Sequence, residues 1–210
     1  MKADTEKQKQ FLDEMLTPAI EKAQKGEIEL LFCDAAHFTL SAFLCMVWSQ
    51  VRTFLRTSHG RNRINVPGAV NAISKEVTTL INTTYITTGT VMDFPVQLKG
   101  KYALNPIFLV LDNAKYQHCD AVKKKAEELG ITLLFLPPYA PNLNIIERLW
   151  KFTKKQILYA KYYDSPDRFH LAIRGFFDTI NDTSHNNLHK LLSLNFQFFE
   201  QQNISQNYTA

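Results

Sequence analysis

At 210 residues, 45% hydrophobic and 21% charged, the chain has ordinary globular composition and enough length to bury a core within one domain. Its formal charge of +4 and pI of about 8.9 are mildly basic, compatible with a nucleic-acid partner but too modest to require one. Cys33, Cys45 and Cys119 are odd in number and widely spaced, which disfavours a disulfide framework or a metal knuckle, and neither the polar start MKADTEKQKQ nor the short apolar run AFLCMVW suits a signal peptide or a membrane span.

In chain order, residues 6–25 predict a helix, with Phe11, Leu12, Met15, Leu16, Ile20 and Ala23 at helical spacing. IELLFCD (28–34) is a continuous apolar run, expected as a strand buried on both faces. Residues 44–57 predict a strand or β-ribbon followed by the basic turn SHGRNR (58–63), and 64–73 and 76–87 predict two further strands. A helix over 90–104 precedes a second apolar strand, IFLVLD (107–112). A helix over 117–129 closed by Gly130 leads to a third, ITLLFL (131–136). Helices follow at 143–159 and 166–181, and the tail LLSLNFQFF is expected to be helical. Strands early and alternating elements later point to an α/β fold, an antiparallel meander continued by parallel strands with crossover helices. Pro67 and Pro95 fall inside a predicted strand and a predicted helix, where each removes a hydrogen bond.

Two strands carry the chemistry. LLFCD and FLVLD each run four apolar residues into an aspartate, Asp34 and Asp112. As neighbouring parallel strands they would bring both carboxylates to one sheet end, about 5 Å apart, where ligand sites of α/β sheets lie. Loop or helix-capping aspartates are the plainer alternative. The stretch FLPPYAPNLNIIERLWKF (135–152) then stops a strand with three prolines and starts a helix with Glu147 near its tip. On that helix Ile146, Leu149, Trp150, Thr153 and Ile157 form one stripe, expected to face the core, and Glu147, Lys151 and Lys154 form another. The prolines fix the angle of the helix and point Glu147 toward the aspartates. Locally, a capping box with Asn144 or an i,i+4 pair with Lys151 would also account for Glu147, but not for the prolines. Three converging carboxylates repel unless divalent cations lie between them, and hard oxygens suit Mg²⁺ or Mn²⁺.

LLFCDAAHF, LVLDNAKYQ and LPPYAPNLNIIERLW together resemble the three carboxylate motifs of DDE transposases, specifically the insertion-sequence 630 family of the Tc/mariner superfamily. The 34 residues between Asp112 and Glu147 match the spacing of that lineage. The resemblance runs from about residue 10 to 200. It implies a ribonuclease-H-like fold with a mixed five-stranded sheet and flanking helices: an N-terminal helix or linker over 1–26, the catalytic domain over 27–182 and a tail over 183–210. It further implies catalytic and metal-binding roles for Asp34, Asp112 and Glu147, two Mg²⁺ or Mn²⁺ ions, and cut-and-paste cleavage and strand transfer on double-stranded DNA, both transposon ends and target. Asp34 would bridge both ions. The setting would be the bacterial cytosol at the nucleoid, without membrane, as a homodimer or with the helix-turn-helix modules such enzymes carry before the first catalytic strand.

Asn113, beside Asp112, and His37, three residues beyond Asp34, are candidates for orienting a metal ligand, against plain loop and edge roles. Lys151, Lys154, Lys155, Arg61 and Arg63 are candidates for phosphate contacts, against solvated basic faces. HNNLH (185–189) lacks partner cysteines for zinc, and Tyr162 and Tyr163 suit helix-loop packing better than base stacking. Two other classes compete. One is a catalytically inactive, truncated transposase-derived DNA-binding or regulatory protein. The other is a phosphatase with Asp112 as nucleophile, opposed by Ala114 where that chemistry wants a second aspartate.

Overall fold

The computed structural model describes residues 4–41, 50–51, 62–82, 88–113, 120–159 and 161–197. Most of the ribbon expected at 44–57, most of the basic turn with Arg61, and the first residues of the helix expected from 117 lie outside them. The N-terminal helix forms as α1 (Thr5–Phe11), a π-helical stretch Leu12–Leu16 and α2 (Thr17–Gln24). Then come β1 (Glu29–Thr39), β2 (Arg63–Asn71), β3 (Val77–Thr79), α3 (Thr88–Lys101), β4 (Ile107–Leu111), α4 (Asp120–Glu128) and β5 (Ile131–Phe135). A 3₁₀ turn, Pro141–Leu143, precedes α5 (Ile146–Ile157), α6 (Pro166–Thr183) and α7 (His185–Leu191).

The strands form one mixed sheet in the order β3-β2-β1-β4-β5. β1, β4 and β5 run parallel, and β2 and β3 are antiparallel to their neighbours. Strand alternation divides the core into two layers. Leu30, Phe32, Ala36, Val110 and Leu134 face α2, α5, α6 and α7 in the larger layer. Leu31, Cys33, Leu109, Leu111 and Ile131 meet Phe94 and Leu98 of α3 and Ala126 of α4 in the smaller one. The central strands are buried on both faces, which is why they read as unbroken apolar runs. Gly130 closes α4 at a positive φ of 65°, a left-handed conformation that glycine adopts without strain.

The strand expected at 76–87 is cut to Val77–Thr79, with an isolated bridge at Asn65–Asn82 and residues 83–87 outside the description. Pro67 gives the reason. Its carbonyl accepts from Leu80 N–H, but proline has no N–H to return, so the ladder lapses there. Pro95 stands inside α3. The tail differs more. Helix ends at Leu191, and residues 192–197 form a non-helical strap across α5. The Arg148 guanidinium donates to the carbonyls of Ser193 (2.7 Å) and Asn195 (2.6 Å), and these bonds satisfy a backbone that no longer coils.

Gly68 sits on β2 directly opposite Asp34. A Cβ built there would lie 2.5 Å from Cη2 and 2.9 Å from Cζ2 of Trp150. Gly68→Ala is therefore expected to cost about 1–3 kcal/mol of stability through overpacking. Urea denaturation of both proteins measures this, and an unchanged midpoint would show that the ring shifts freely.

Candidate active site

Asp34 and Asp112 arrive in register. β1 and β4 pair Glu29 with Ile107 through Phe32 with Val110, and the same offset two residues on sets Asp34 level with Asp112. Both side chains alternate onto the face of Phe32 and Val110, the side where α5 packs. β5 ends beside β4, where Leu136 N–H donates to Leu111 O (2.9 Å), so the proline loop leaves from this same sheet end. Tyr139 in that loop has a φ of +60°, a conformation costly for a bulky residue. The loop is held from outside. Buried Gln8 of α1 donates to Tyr139 O (3.1 Å), and Asn142 donates to Gln8 Oε1 (3.0 Å) and to Gln197 O (3.1 Å).

Helix α5 then delivers Glu147. Ile146, Leu149, Trp150, Thr153 and Ile157 are its buried residues, the stripe expected from the sequence. The capping box does not form. Buried Asn144 accepts from Ile146 N–H (3.4 Å) and donates to Cys33 O (3.5 Å), which ties the start of α5 to the end of β1.

Asp112, Asn113, Asn144 and Glu147 line a cavity of about 480 Å³ together with Pro137, Pro138 and Tyr139. Asp34 is not part of its lining. Its Oδ2 accepts from the Trp150 indole N–H at 3.0 Å. Burial pushes the Asp34 carboxyl up to about 7, and the charges of Glu147 and Asp112 add to the rise against hydrogen bonds from Ala35 and Trp150. Burial also raises Glu147. Lys154 opposes that rise and Asp112 reinforces it. The Cys33 thiol, fully buried, is pushed up strongly by desolvation and by both aspartates. The three carboxylates therefore feel one another, and Lys154 is the cation that offsets Glu147.

Among the described residues, no group of three His, Cys, Asp or Glu side chains stands close enough to hold a metal ion as placed. The donor set nevertheless fits a hard divalent cation. It consists of carboxylate oxygens, and two of the three groups, Asp34 and Glu147, resist ionisation because they are buried, with neighbouring carboxylates adding to the effect. Of the other candidates, Asn113 reaches the cavity. His37 lies on the opposite face of β1 from Asp34, exposed, its Nδ1 2.6 Å from Asn65 Oδ1, and so outside the site. Lys151 and Lys155 are exposed on α5 and Lys154 is half-buried. Arg63 is exposed opposite Thr39, roughly 16 Å along the strand from Asp34. Trp150 reads from the sequence as a core residue only. The signal for more was its indole N–H, which needs an acceptor when buried.

The fold is shared with transposase catalytic domains. The crystal structure of the Mos1 mariner paired end complex with Mn aligns with a TM-score of 0.68 at 14% identity, covering 95% of this chain and 65% of that one. The Mos1 transposase paired-end complex with left transposon end gives 0.65 at 14% identity, with coverage of 91% and 61%. The Mos1 transposase catalytic domain with raltegravir and Mg gives 0.61 at 13% identity and is covered completely by 95% of this chain. The chain thus spans under two thirds of the Mos1 chains in the two paired-end complexes, and at these identities the likeness establishes a ribonuclease-H-like fold. No curated protein matches the sequence. A family model does, over residues 29–170, a span that contains β1, β4 and the start of α5 with all three carboxylates, and on that match the chain belongs to the DDE superfamily endonucleases.

Proposed function

We propose that the chain is the catalytic domain of a transposase of the insertion-sequence 630 family, which cleaves DNA strands at element ends and transfers them to a target with Mg²⁺ or Mn²⁺. The observation that carries the reading is the register match of Asp34 with Asp112 on adjacent parallel strands, with Glu147 brought to the same sheet end by the proline loop and α5. The LNIIERLW motif and the 34-residue interval from Asp112 to Glu147 support the narrower family. The Mos1 complexes with Mn, with Mg and with transposon ends support a divalent cation and duplex DNA as partners. A cytosolic, nucleoid-associated setting and a dimer belong to the same reading.

Asp34, Asp112 and Glu147 would hold two such ions, which when bound supply activation of water and stabilisation of the leaving 3′ oxygen. The protein's own part is to bring the three carboxylates to one sheet end and to shape the cavity beside them. Asn113 at the cavity rim could orient a phosphate, and Lys154 offsets the charge of Glu147. The test is nicking of a supercoiled plasmid, with nicking in Mg²⁺ and none in excess EDTA as the expected result. That no three carboxylates among the described residues stand close enough as placed to share an ion favours one alternative, a catalytically silent relative that still binds DNA. Binding without nicking at any Mg²⁺ or Mn²⁺ concentration would select it.

Lysine contacts to phosphate position a protein without reading sequence. Lys151→Ala with Lys154→Ala is expected to weaken binding equally on all duplexes and to flatten the log–log salt slope by up to about 2 units. Fluorescence anisotropy across a salt series measures it. Unchanged affinity and slope would assign both lysines to a solvated helix face.

A further inference from the structure

Trp150 is 3% exposed and sits in the core stripe of α5, a position where an aromatic ring ordinarily contributes packing alone. Here its N–H is spent on one of the three carboxylates, with Nε1 donating to Asp34 Oδ2 at 3.0 Å. The surroundings keep it there. Gly68 on β2 leaves the space its six-membered ring fills, since any Cβ would overlap that ring. Phe177 of α6 meets it edge to face, at 6.2 Å between centroids and 80° between planes. The indole is clamped between a side-chain-free patch of the sheet and a second helix, so it cannot turn its N–H away without opening the core. Asp34 is thus held by a donor that is itself fixed in the core.

We propose that Trp150 is a positioning residue for the candidate active site. Its indole N–H fixes the rotamer of Asp34, and Gly68 is glycine because that indole occupies the space a Cβ would need. Trp150 follows Glu147 by three residues, about one helical turn. One helix therefore presents the third carboxylate and also restrains the first, so a shift of α5 moves both together. Partners that orient a metal ligand typically change metal affinity or activity 10- to 100-fold when removed. The inference rests on the reading of Asp34 as a metal ligand, and the experiment separates the two.

Trp150→Phe keeps an aromatic ring in the clamp and removes only the donor. Free Mn²⁺ measured by electron paramagnetic resonance is expected to show affinity for the full chain lowered roughly 10- to 100-fold, with the variant still folded by circular dichroism. A residue that serves packing alone would lower the melting temperature and leave Mn²⁺ affinity of the folded protein untouched. A second measurement does not depend on that variant folding. The chain has two tryptophans, and Trp48→Phe leaves the Trp150 indole N–H as a single resonance in a ¹⁵N spectrum. At pH 8, where Asp34 is ionised, adding Asp34→Asn replaces the charged acceptor with a neutral amide and is expected to move that resonance upfield. An indole resonance indifferent to Asp34→Asn, or unchanged Mn²⁺ affinity in folded Trp150→Phe, overturns the proposal. If the wild-type chain takes up no Mn²⁺, the metal reading of the site fails, and the indole resonance alone decides whether Trp150 holds Asp34.

Discussion

Asp112→Asn is expected to lower Mg²⁺-dependent plasmid nicking by about 10³-fold or more while leaving the fold intact. The amide has almost the shape of the carboxylate, so the cavity wall it shares with Asn113, Asn144 and Glu147 keeps its form. What disappears is a negative charge at the strand end level with Asp34. Metal ions contribute several kcal/mol of transition-state stabilisation in phosphoryl chemistry, and each 1.36 kcal/mol is tenfold in rate, so losing one charged ligand amounts to roughly three decades. Single-turnover nicking rates at saturating Mg²⁺ measure the effect, with melting temperatures to show that both proteins are folded. A variant within about tenfold of wild type would remove Asp112 from the chemistry and with it the central strand argument.

The second large effect is on stability. Without metal, Asp34 holds its proton up to about pH 7 in the folded protein, against a value near 3.8 for the free side chain. Between those values the folded state binds more protons than the unfolded state, so this group's contribution is fully present below about pH 4. It is lost as pH rises through about 7. Burial of Glu147 acts with the same sign. EDTA-treated wild type should therefore be less stable at pH 8 than at pH 5, by up to about 3 kcal/mol from Asp34, for the roughly two units between pH 5 and 7 at about 1.4 kcal/mol per unit. Asp34→Asn removes the ionisation, so the variant should be more stable than wild type at pH 8 and show a shallower pH dependence. Mg²⁺ at pH 8 should restore wild type by binding the native state and do little for the variant. Urea denaturation at the two pH values decides it. Parallel pH profiles for wild type and variant would show that burial of Asp34 carries no such penalty.

Much of this site was legible because it rests on local pattern. LLFCD and FLVLD announce parallel strands buried on both faces, and four apolar residues before each aspartate set the register that aligns Asp34 with Asp112. The stripe from Ile146 to Ile157 fixes which side of α5 is buried, and so which side carries Glu147. What the pattern missed depends on contacts far apart in sequence. Helical periodicity extends past Leu191, but Arg148 captures the carbonyls that would have continued the helix. Apolar residues continue past Thr79, but Pro67 on the neighbouring strand has no N–H to offer. Asn144 reads as a helix cap and instead bridges Ile146 to Cys33. His37 reads as a neighbour of Asp34, yet odd spacing along a strand turns it to the other face. Trp150 reads as core, which it is, while its hydrogen bond 116 residues away to Asp34 leaves no trace in spacing.

The central claim is that Asp34, Asp112 and Glu147 form one divalent-cation site. Anomalous diffraction from crystals soaked in Mn²⁺ at pH 8 tests it most directly. The account predicts Mn²⁺ density within ligand distance of carboxylate oxygens from all three residues at the end of β1 and β4. Mn²⁺ bound elsewhere, or ligated without Asp34 or Glu147, would contradict it.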